Sequence, residues 1–187
     1  MLLRNFVALF LLTASTTILA DTVDINLRDS SAQLQFGTSI GRDSLGSSNL
    51  HAGILYTNDK DRFIDLGIMV KEAVGSSDST VTAGVGIKGL IAKVGNSDAA
   101  ALAIGGQIRF SVPANTKFGI VGQLYLSPNI TTYRDADRYT ETTARLEYDI
   151  IPQAAAYLGY RRISFGGPSS SGAVLDSGFH IGVRMTF

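Results

Sequence analysis

Apolar residues alternate with polar or small residues along most of this chain. A period of two places successive side chains on opposite faces of a β-strand, so each such segment has one apolar face. The alternation predicts ten strands with no domain boundary between them, at residues 22–28, 31–41, 50–57, 62–71, 80–93, 99–112, 117–127, 139–150, 154–165 and 178–187. Segments of about ten residues separated by turns are typical of a transmembrane β-barrel.

The other face of these strands distinguishes a membrane barrel from a soluble one. A soluble up-and-down barrel gives the same alternation, but its polar face meets water and should be dense in charged residues. Here that face is mostly small, with Thr82, Gly84 and Gly86 on one strand and Ala101 and Ala103 on the next. Small side chains suit a crowded interior. We therefore predict a closed antiparallel transmembrane up-and-down β-barrel of ten strands, or of eight if the N-terminal hairpin does not join it.

The connections between the predicted strands differ in length. Residues 112–116 and 151–153 are tight turns, whereas residues 128–138 and 166–177 are long and polar. If both termini lie in the periplasm, ten strands place both long connections on the extracellular side and both tight turns on the periplasmic side, as outer-membrane barrels prefer. Aromatic residues at the periplasmic strand ends would then form a lower girdle in the lipid interface. These residues are Phe110, Phe118, Tyr148 and Phe187.

The strand at residues 154–165 departs from the alternation. Tyr160, Ile163 and Phe165 share an apolar face only if one extra residue is inserted near Arg161 and Arg162. An inserted residue of this kind is a β-bulge, so the sequence predicts a bulge at that point.

Residues 1–20 have the three regions of a secretory signal peptide. Arg4 supplies a positive start, residues 6–12 are apolar, and residues 13–20 are small or polar. A membrane anchor is the alternative, but the apolar run is well short of the roughly 20 residues that a spanning helix needs. We expect cleavage after Ala20, so that Asp21 begins a single barrel domain of residues 21–187.

The composition excludes several classes of function. The chain has no cysteine, which removes disulfides, thiolate metal sites and cysteine nucleophiles. Its 16 acidic and 16 basic residues balance, and without a basic field nucleic acid is not expected as a partner. The sequence has no metal-ligand spacing and no phosphate-binding loop, so no cofactor is expected.

Charged residues on the small face are predicted to point into the barrel. The acids are Asp24, Asp65, Glu141, Glu147, Asp149 and Asp176, and the bases are Arg28, Lys71, Lys88, Arg109, Lys117, Arg145, Arg161 and Arg184. This near-balance favours charge pairing across the lumen, because an unpaired charge inside a low-dielectric wall is costly. We therefore predict a plugged structural or surface barrel with a salt-bridged lumen. A narrow pore for small solutes or ions is the alternative, although such pores tend to carry a ring of one charge.

A barrel-rim hydrolase or acyltransferase is a further alternative. His180 follows Asp176 and Ser177, and Ser164 and the serines at 169–171 are predicted near the same rim. Catalysis by such a group needs a hydrogen bond between nucleophile and base and a carboxylate that orients the base. Because the C-terminal pattern described next already accounts for His180, we do not expect an enzyme. Residues 128–138 could instead carry surface recognition through Tyr133, Arg134 and Arg138, although a solvated loop is the simpler interpretation.

Two resemblances identify a class of protein. The spacing of His180, Gly182, Met185 and Phe187 resembles the C-terminal signal that the barrel-assembly machinery reads on bacterial outer-membrane proteins. The succession Gly84-Val-Gly-Ile-Lys-Gly89, Ala103-Ile-Gly-Gly-Gln-Ile-Arg109, Tyr125-Leu-Ser-Pro128, Leu158-Gly-Tyr-Arg161 and the C-terminal eight residues resembles the YfaZ-like family. Membership implies a small barrel in the outer membrane of a Gram-negative bacterium and no known activity. The expected partners are outer-membrane lipid and lipopolysaccharide, periplasmic chaperones and the assembly machinery, and the barrel is expected to be a monomer.

Overall fold

A computed structural model describes residues 21–43, 46–74, 80–113, 116–166 and 172–187. The predicted signal peptide with Ala20 and the serines at 169–171 lie outside the described residues. One short 3-10 helix, Asn129–Thr131, occurs among the strands. The strands are β1 Thr22–Leu27, β2 Ser31–Asp43, β3 Gly46–Thr57, β4 Arg62–Ala73, β5 Val81–Val94, β6 Ser97–Ser111, β7 Phe118–Ser127, β8 Thr132–Arg134, β9 Arg138–Ile151, β10 Ala154–Gly166 and β11 Ala173–Thr186.

Ten of these strands form a closed antiparallel barrel. Each long strand pairs with its neighbours along the chain, β7 pairs directly with β9, and β1 pairs with β11 to close the ring. The short β8 pairs with β6 alone, beside the end of the barrel. The prediction of ten strands is confirmed, and the alternative of eight is wrong because β1 and β2 are both part of the wall. Closure leaves no unpaired strand edge, as a lipid-embedded sheet requires.

The two ends of the barrel differ in their connections. The connections that follow β1, β3, β5, β7 and β10 lie at one end, which we call the loop end. Those that follow β2, β4, β6 and β9 lie at the other, together with Asp21 and Phe187, and we call this the terminal end. Both long connections are therefore at the loop end and both tight turns at the terminal end.

The wall is apolar outside and polar inside over the terminal half of the barrel. Exterior side chains such as Val85, Ile104 and Ile181 are 71%, 68% and 64% exposed, whereas the inward Lys88 and Arg161 are each 2% exposed. Exposed apolar side chains cover the outside of the barrel, whereas soluble monomers rarely expose apolar patches larger than a few hundred Å². Such an exterior matches a lipid environment. In the part of the chain that the structure describes, no helix is long and apolar enough to cross a membrane.

Strand β10 differs from the prediction in a way that changes the interior. Tyr160 points outward, but Ile163 and Phe165 point inward, so β10 alternates without a bulge at Arg161 or Arg162. The register shift lies on β11 instead, where Asp176 pairs with Ile163, Val174 pairs with Ser164, and Leu175 between them has no partner. The prediction was wrong because it assumed a polar interior at every level, and the interior of the loop end is apolar.

Candidate functional site

The interior of the loop end is filled by apolar side chains. The rings of Phe63 and Tyr139 stack with centroids 6.2 Å apart, and Phe165 packs against Tyr139 with centroids 5.3 Å apart. These rings are almost fully buried and lie across the lumen at this end. We call the following group the aromatic plug: Phe63, Tyr125, Tyr139, Ile163 and Phe165, with Leu55, Leu90 and Leu175 around them.

A buried ion pair lies directly beneath the aromatic plug. The Lys88 ammonium contacts the Glu141 carboxylate, and the Tyr139 hydroxyl donates to the same carboxylate. The Lys88 nitrogen also lies 4.4 Å from the centroid of the Tyr125 ring, where a cation is attracted to the ring face. Because both charged side chains are almost fully buried, this pair ties β5 to β9 across the lumen and fixes the lower side of the plug.

A second polar network joins β1, β2, β10 and β11. The Asp176 carboxylate accepts hydrogen bonds from Arg161 at 2.8 and 2.6 Å, from Arg28 at 2.8 Å and from Ser31 at 3.0 Å. Arg161 also donates to Asn26 at 3.0 Å and to Gln33. Every arm of the Arg161 guanidinium therefore has a partner, which is what makes a charge tolerable at 2% exposure.

Three arginines converge on one carboxylate nearer the terminal end. Arg184 donates to both oxygens of Glu147 at 2.7 and 2.8 Å, Arg145 lies 2.9 Å from one oxygen, and Arg109 contacts the other. Glu147 is 0% exposed. Two further acids engage the arginines from the sides: Asp24 lies 3.4 Å from Arg145, and Asp149 lies 3.5 Å from Arg109.

A cavity of about 470 Å³ occupies the lumen between these networks and the terminal end. We call it the chamber. Its lining comes from the terminal halves of the strands and includes Thr22 and Thr186, which pair across the β1–β11 seam. Tyr125 of the aromatic plug lines its inner end. Over the described residues the chamber therefore extends from the aromatic plug to the terminal end.

The charges predicted to face the lumen do lie inside, with one exception. Lys88, Arg161 and Glu147 are buried, and Arg109, Arg145 and Arg184 have side chains between 13% and 22% exposed. Lys117 is exposed in the turn that precedes β7, so its prediction as an inward base is wrong. A turn residue lies beyond the paired wall, where the alternation no longer sets its direction.

The residues predicted to form a girdle lie outside the barrel at the terminal end. The Phe118 and Tyr148 rings pack with centroids 4.8 Å apart on the paired strands β7 and β9. Phe110 is 37% exposed, and Phe187 is 79% exposed. Their role as a membrane girdle stays a prediction.

Two of the predicted assembly-signal residues have partners in the wall that explain their types. His180 pairs with Gly159 across the β10–β11 ladder, and Tyr157 pairs with Gly182. A β-carbon on Gly159 would lie 2.7 Å from the His180 ring, and one on Gly182 would overlap the Tyr157 ring. Each aromatic ring thus lies over a glycine on the neighbouring strand, and their ring centroids are 5.9 Å apart. Met185 pairs with Val23 in the seam, and the reading of these residues by an assembly machinery remains untested.

The candidate catalytic group is not assembled by the described residues. Asp176 is engaged by Arg28, Ser31 and Arg161 rather than by a histidine. Ser177 lies on the exterior, where its hydroxyl is 3.0 Å from the Tyr160 hydroxyl, while His180 is buried inside. The wall therefore separates this serine from this histidine. The serines at 169–171 lie outside the described residues.

The aromatic plug and the contact between Tyr157 and Asp24 were not predicted from the sequence. The Tyr157 hydroxyl donates to the Asp24 carboxylate across the β11 strand that separates β10 from β1. A signal was present for part of the plug, where a plug residue stands next to a residue that was assigned outward. Phe63 precedes Ile64 and Tyr125 follows Leu124, so strict alternation turns both aromatic rings inward.

The fold and the interior define a class: a small, closed antiparallel β-barrel with an apolar exterior and charged side chains inside. The sequence model described as YfaZ precursor matches residues 3–187, and the chain therefore belongs to the YfaZ family. No curated protein matches the sequence.

Three solved structures are similar to this chain at low sequence identity. A structure of the NanC porin is 14% identical, covers 89% of this chain and 99% of its own, and has a TM-score of 0.50. The KdgM porin in complex with disordered oligogalacturonate is 10% identical over 89% of this chain and 98% of its own, with a TM-score of 0.49. The outer-membrane expressed OmpT of Vibrio cholerae is 16% identical over 84% of this chain and 56% of its own, with a TM-score of 0.41.

Proposed function

We propose that this protein is a closed outer-membrane barrel, without enzymatic activity, whose lumen does not conduct in its resting state. The observation that supports this is the aromatic plug, in which Phe63, Tyr125, Tyr139 and Ile163 are each at most 1% exposed. The apolar exterior supports residence in a bilayer. The loop end would face the cell exterior, the terminal end would face the periplasm, and the protein would act as a scaffold or surface barrel.

A narrow pore is the second candidate, and the chamber favours it. The chamber already covers the terminal half of a transport path, so displacement of the aromatic plug and of the Lys88–Glu141 pair beneath it would open the remainder. Such a pore would pass small polar solutes, because charged and amide side chains such as Arg109 and Gln123 line the chamber and its volume is about 470 Å³.

Single-channel recording in planar bilayers tests the choice between the two. Refolded wild-type barrel should give no discrete conductance steps. The double variant Phe63→Ala, Phe165→Ala removes two plug rings and should conduct. Phe179→Ala is the matched control, because Phe179 is 72% exposed on the exterior and its loss leaves the plug intact.

Heat-modifiable gel mobility should show that all three proteins are folded barrels before recording. Regular conductance steps from wild-type protein would contradict the closed barrel and support the pore. A silent, folded double variant would show that the rings are not what closes the lumen.

A further inference from the structure

We propose that the chamber binds a small hydrophilic organic anion that carries carboxylate groups. This inference goes beyond the closed-barrel proposal and does not depend on whether the aromatic plug opens. The observation behind it is that basic and acidic side chains are distributed unevenly around the chamber.

The basic residues stand at the surface of the chamber and most of the acids stand behind them. Two acids line the chamber in the described part of the chain, Asp21 and Asp24, whereas Glu141 and Glu147 do not. Five bases line it: Lys71, Lys88, Arg109, Arg145 and Arg184. A lumen that is nearly balanced in total charge therefore presents a cationic surface to its own cavity.

The two lining acids are already engaged by protein groups. Asp24 accepts a hydrogen bond from the Tyr157 hydroxyl and lies 3.4 Å from Arg145. Asp21 accepts from the Thr38 hydroxyl at 3.2 Å and from the Ser39 backbone. Both carboxylates thus have donors, and neither reaches the Lys71 ammonium.

Lys71 is the lining residue that most favours a bound anion. Within the described residues it has no carboxylate within ion-pair distance. Its ammonium is repelled by Arg109, Arg145 and Arg184 and attracted by Glu147, which lies beyond that distance. A bound anion would relieve this repulsion, and the arginines can supply the remaining contacts. A guanidinium has five N–H donors. Arg184 uses one N–H on each of its two terminal nitrogens for Glu147, and its other N–H groups remain available to a ligand.

The remaining lining defines the class of ligand. Planar guanidinium groups match carboxylates in a two-pronged geometry. Apolar groups such as Met69 form part of the lining. Further lining groups are neutral donors and acceptors suited to hydroxyl groups of the same ligand. They include Gln35, Asn49, Gln107, Gln123, Ser47 and Thr82. A volume of about 470 Å³ falls within the range of about 300–1,000 Å³ that is usual for small-molecule sites.

Isothermal titration of the refolded, detergent-solubilised barrel with citrate tests the proposal. Citrate should bind at low ionic strength, and binding should weaken in high salt because charges that reach water are screened. Glucose, a neutral solute of similar size, should give no binding heat. Lys71→Gln should weaken citrate binding about tenfold, the effect of one charge-assisted hydrogen bond.

Lys93→Gln is the matched control, because Lys93 is an exposed lysine on the outer face of β5 and does not line the chamber. It should leave citrate binding unchanged. Gln123→Glu is a second test that adds a carboxylate to the lining, and it should also weaken binding. Heat-modifiable mobility confirms that each variant is folded.

Several outcomes would overturn the inference. These are the absence of citrate binding to folded wild-type protein, equal binding of citrate and glucose, and equal effects of Lys71→Gln and Lys93→Gln. If Lys71→Gln does not fold, undiminished citrate binding by Gln123→Glu would overturn it. None of these outcomes bears on conductance, so failure of the anion site and failure of the closed barrel are separate results.

Discussion

Two neighbouring residues on β7 allow the orientation of the wall to be tested at a single depth. Leu124 is 45% exposed on the exterior, and Gln123 lines the chamber. Their backbones differ in height by only about 3 Å, so Leu124→Arg and Gln123→Arg place the same charge on opposite sides of one wall. A difference in the free energy of unfolding between the two variants then shows which face of the wall meets lipid.

The height of this pair follows from strand geometry. Leu124 is six residues beyond Phe118 at the terminal end of β7. A strand rises about 3.3 Å per residue and is tilted by about 40° in such barrels, which puts Leu124 about 15 Å above that end. The apolar band of outer-membrane barrels is about 25 Å tall, so Leu124 lies within a few Å of the bilayer midplane.

The two substitutions should lower the free energy of unfolding by different amounts. An arginine facing lipid at the midplane costs about 2–4 kcal/mol. That loss lowers the folding equilibrium constant about 30- to 1,000-fold. An arginine at position 123 enters a lumen that already holds several charged side chains, so repulsion from the lining bases replaces the cost of entering lipid. Leu124→Arg should therefore be much less stable than Gln123→Arg.

Urea titration in lipid vesicles, followed by heat-modifiable gel mobility, measures both free energies of unfolding. Leu124→Ala is the control for lost side-chain contact, and it should fall between wild type and Leu124→Arg. If Gln123→Arg were the more damaging change, the lipid would face the chamber side of the wall and the assigned orientation would be refuted.

Three further predictions use the same protein. N-terminal sequencing of membrane-derived protein should begin at Asp21, and a sequence that begins at Met1 would contradict the signal peptide. Asp176→Asn leaves the buried Arg161 without its carboxylate and should cost about 3–5 kcal/mol in the free energy of unfolding. Asp29→Asn should cost less than about 1 kcal/mol, because the Asp29 side chain is 82% exposed; equal urea midpoints for the two variants would refute this. Phe187→Ala keeps the 2.9 Å backbone bond from Phe187 to the Asp21 carbonyl, so the barrel should stay stable once formed, yet its outer-membrane abundance should drop if Phe187 serves in assembly. The double variant Met185→Ala, Phe187→Ala should lower outer-membrane abundance further, whereas Thr186→Ala should hardly change it. Cell fractionation measures these abundances. Wild-type abundance of the double variant would show that these residues do not serve in assembly.

The alternation of residue types determined the wall of this protein. Which residues face lipid, how many strands close the ring and which connections share an end all follow from a period of two and from loop length. These are local properties, because each strand repeats the pattern without reference to the others. The same pattern failed at Ile163 and Phe165, where apolar residues face inward and the assumption of a polar lumen no longer held.

The contents of the lumen were decided only by the tertiary structure. Lys88 and Glu141 are 53 residues apart, and Asp24 and Tyr157 are 133 apart, so no local pattern pairs them. A count of predicted inward charges gave near-balance, but it could not show that Glu147 lies behind three arginines while Lys71 faces the cavity. The depth that a charge reaches depends on side-chain length and on which strands face each other across the barrel. Closure of the ring fixes both, and it turns a balanced set of charges into a cationic chamber beneath an apolar plug.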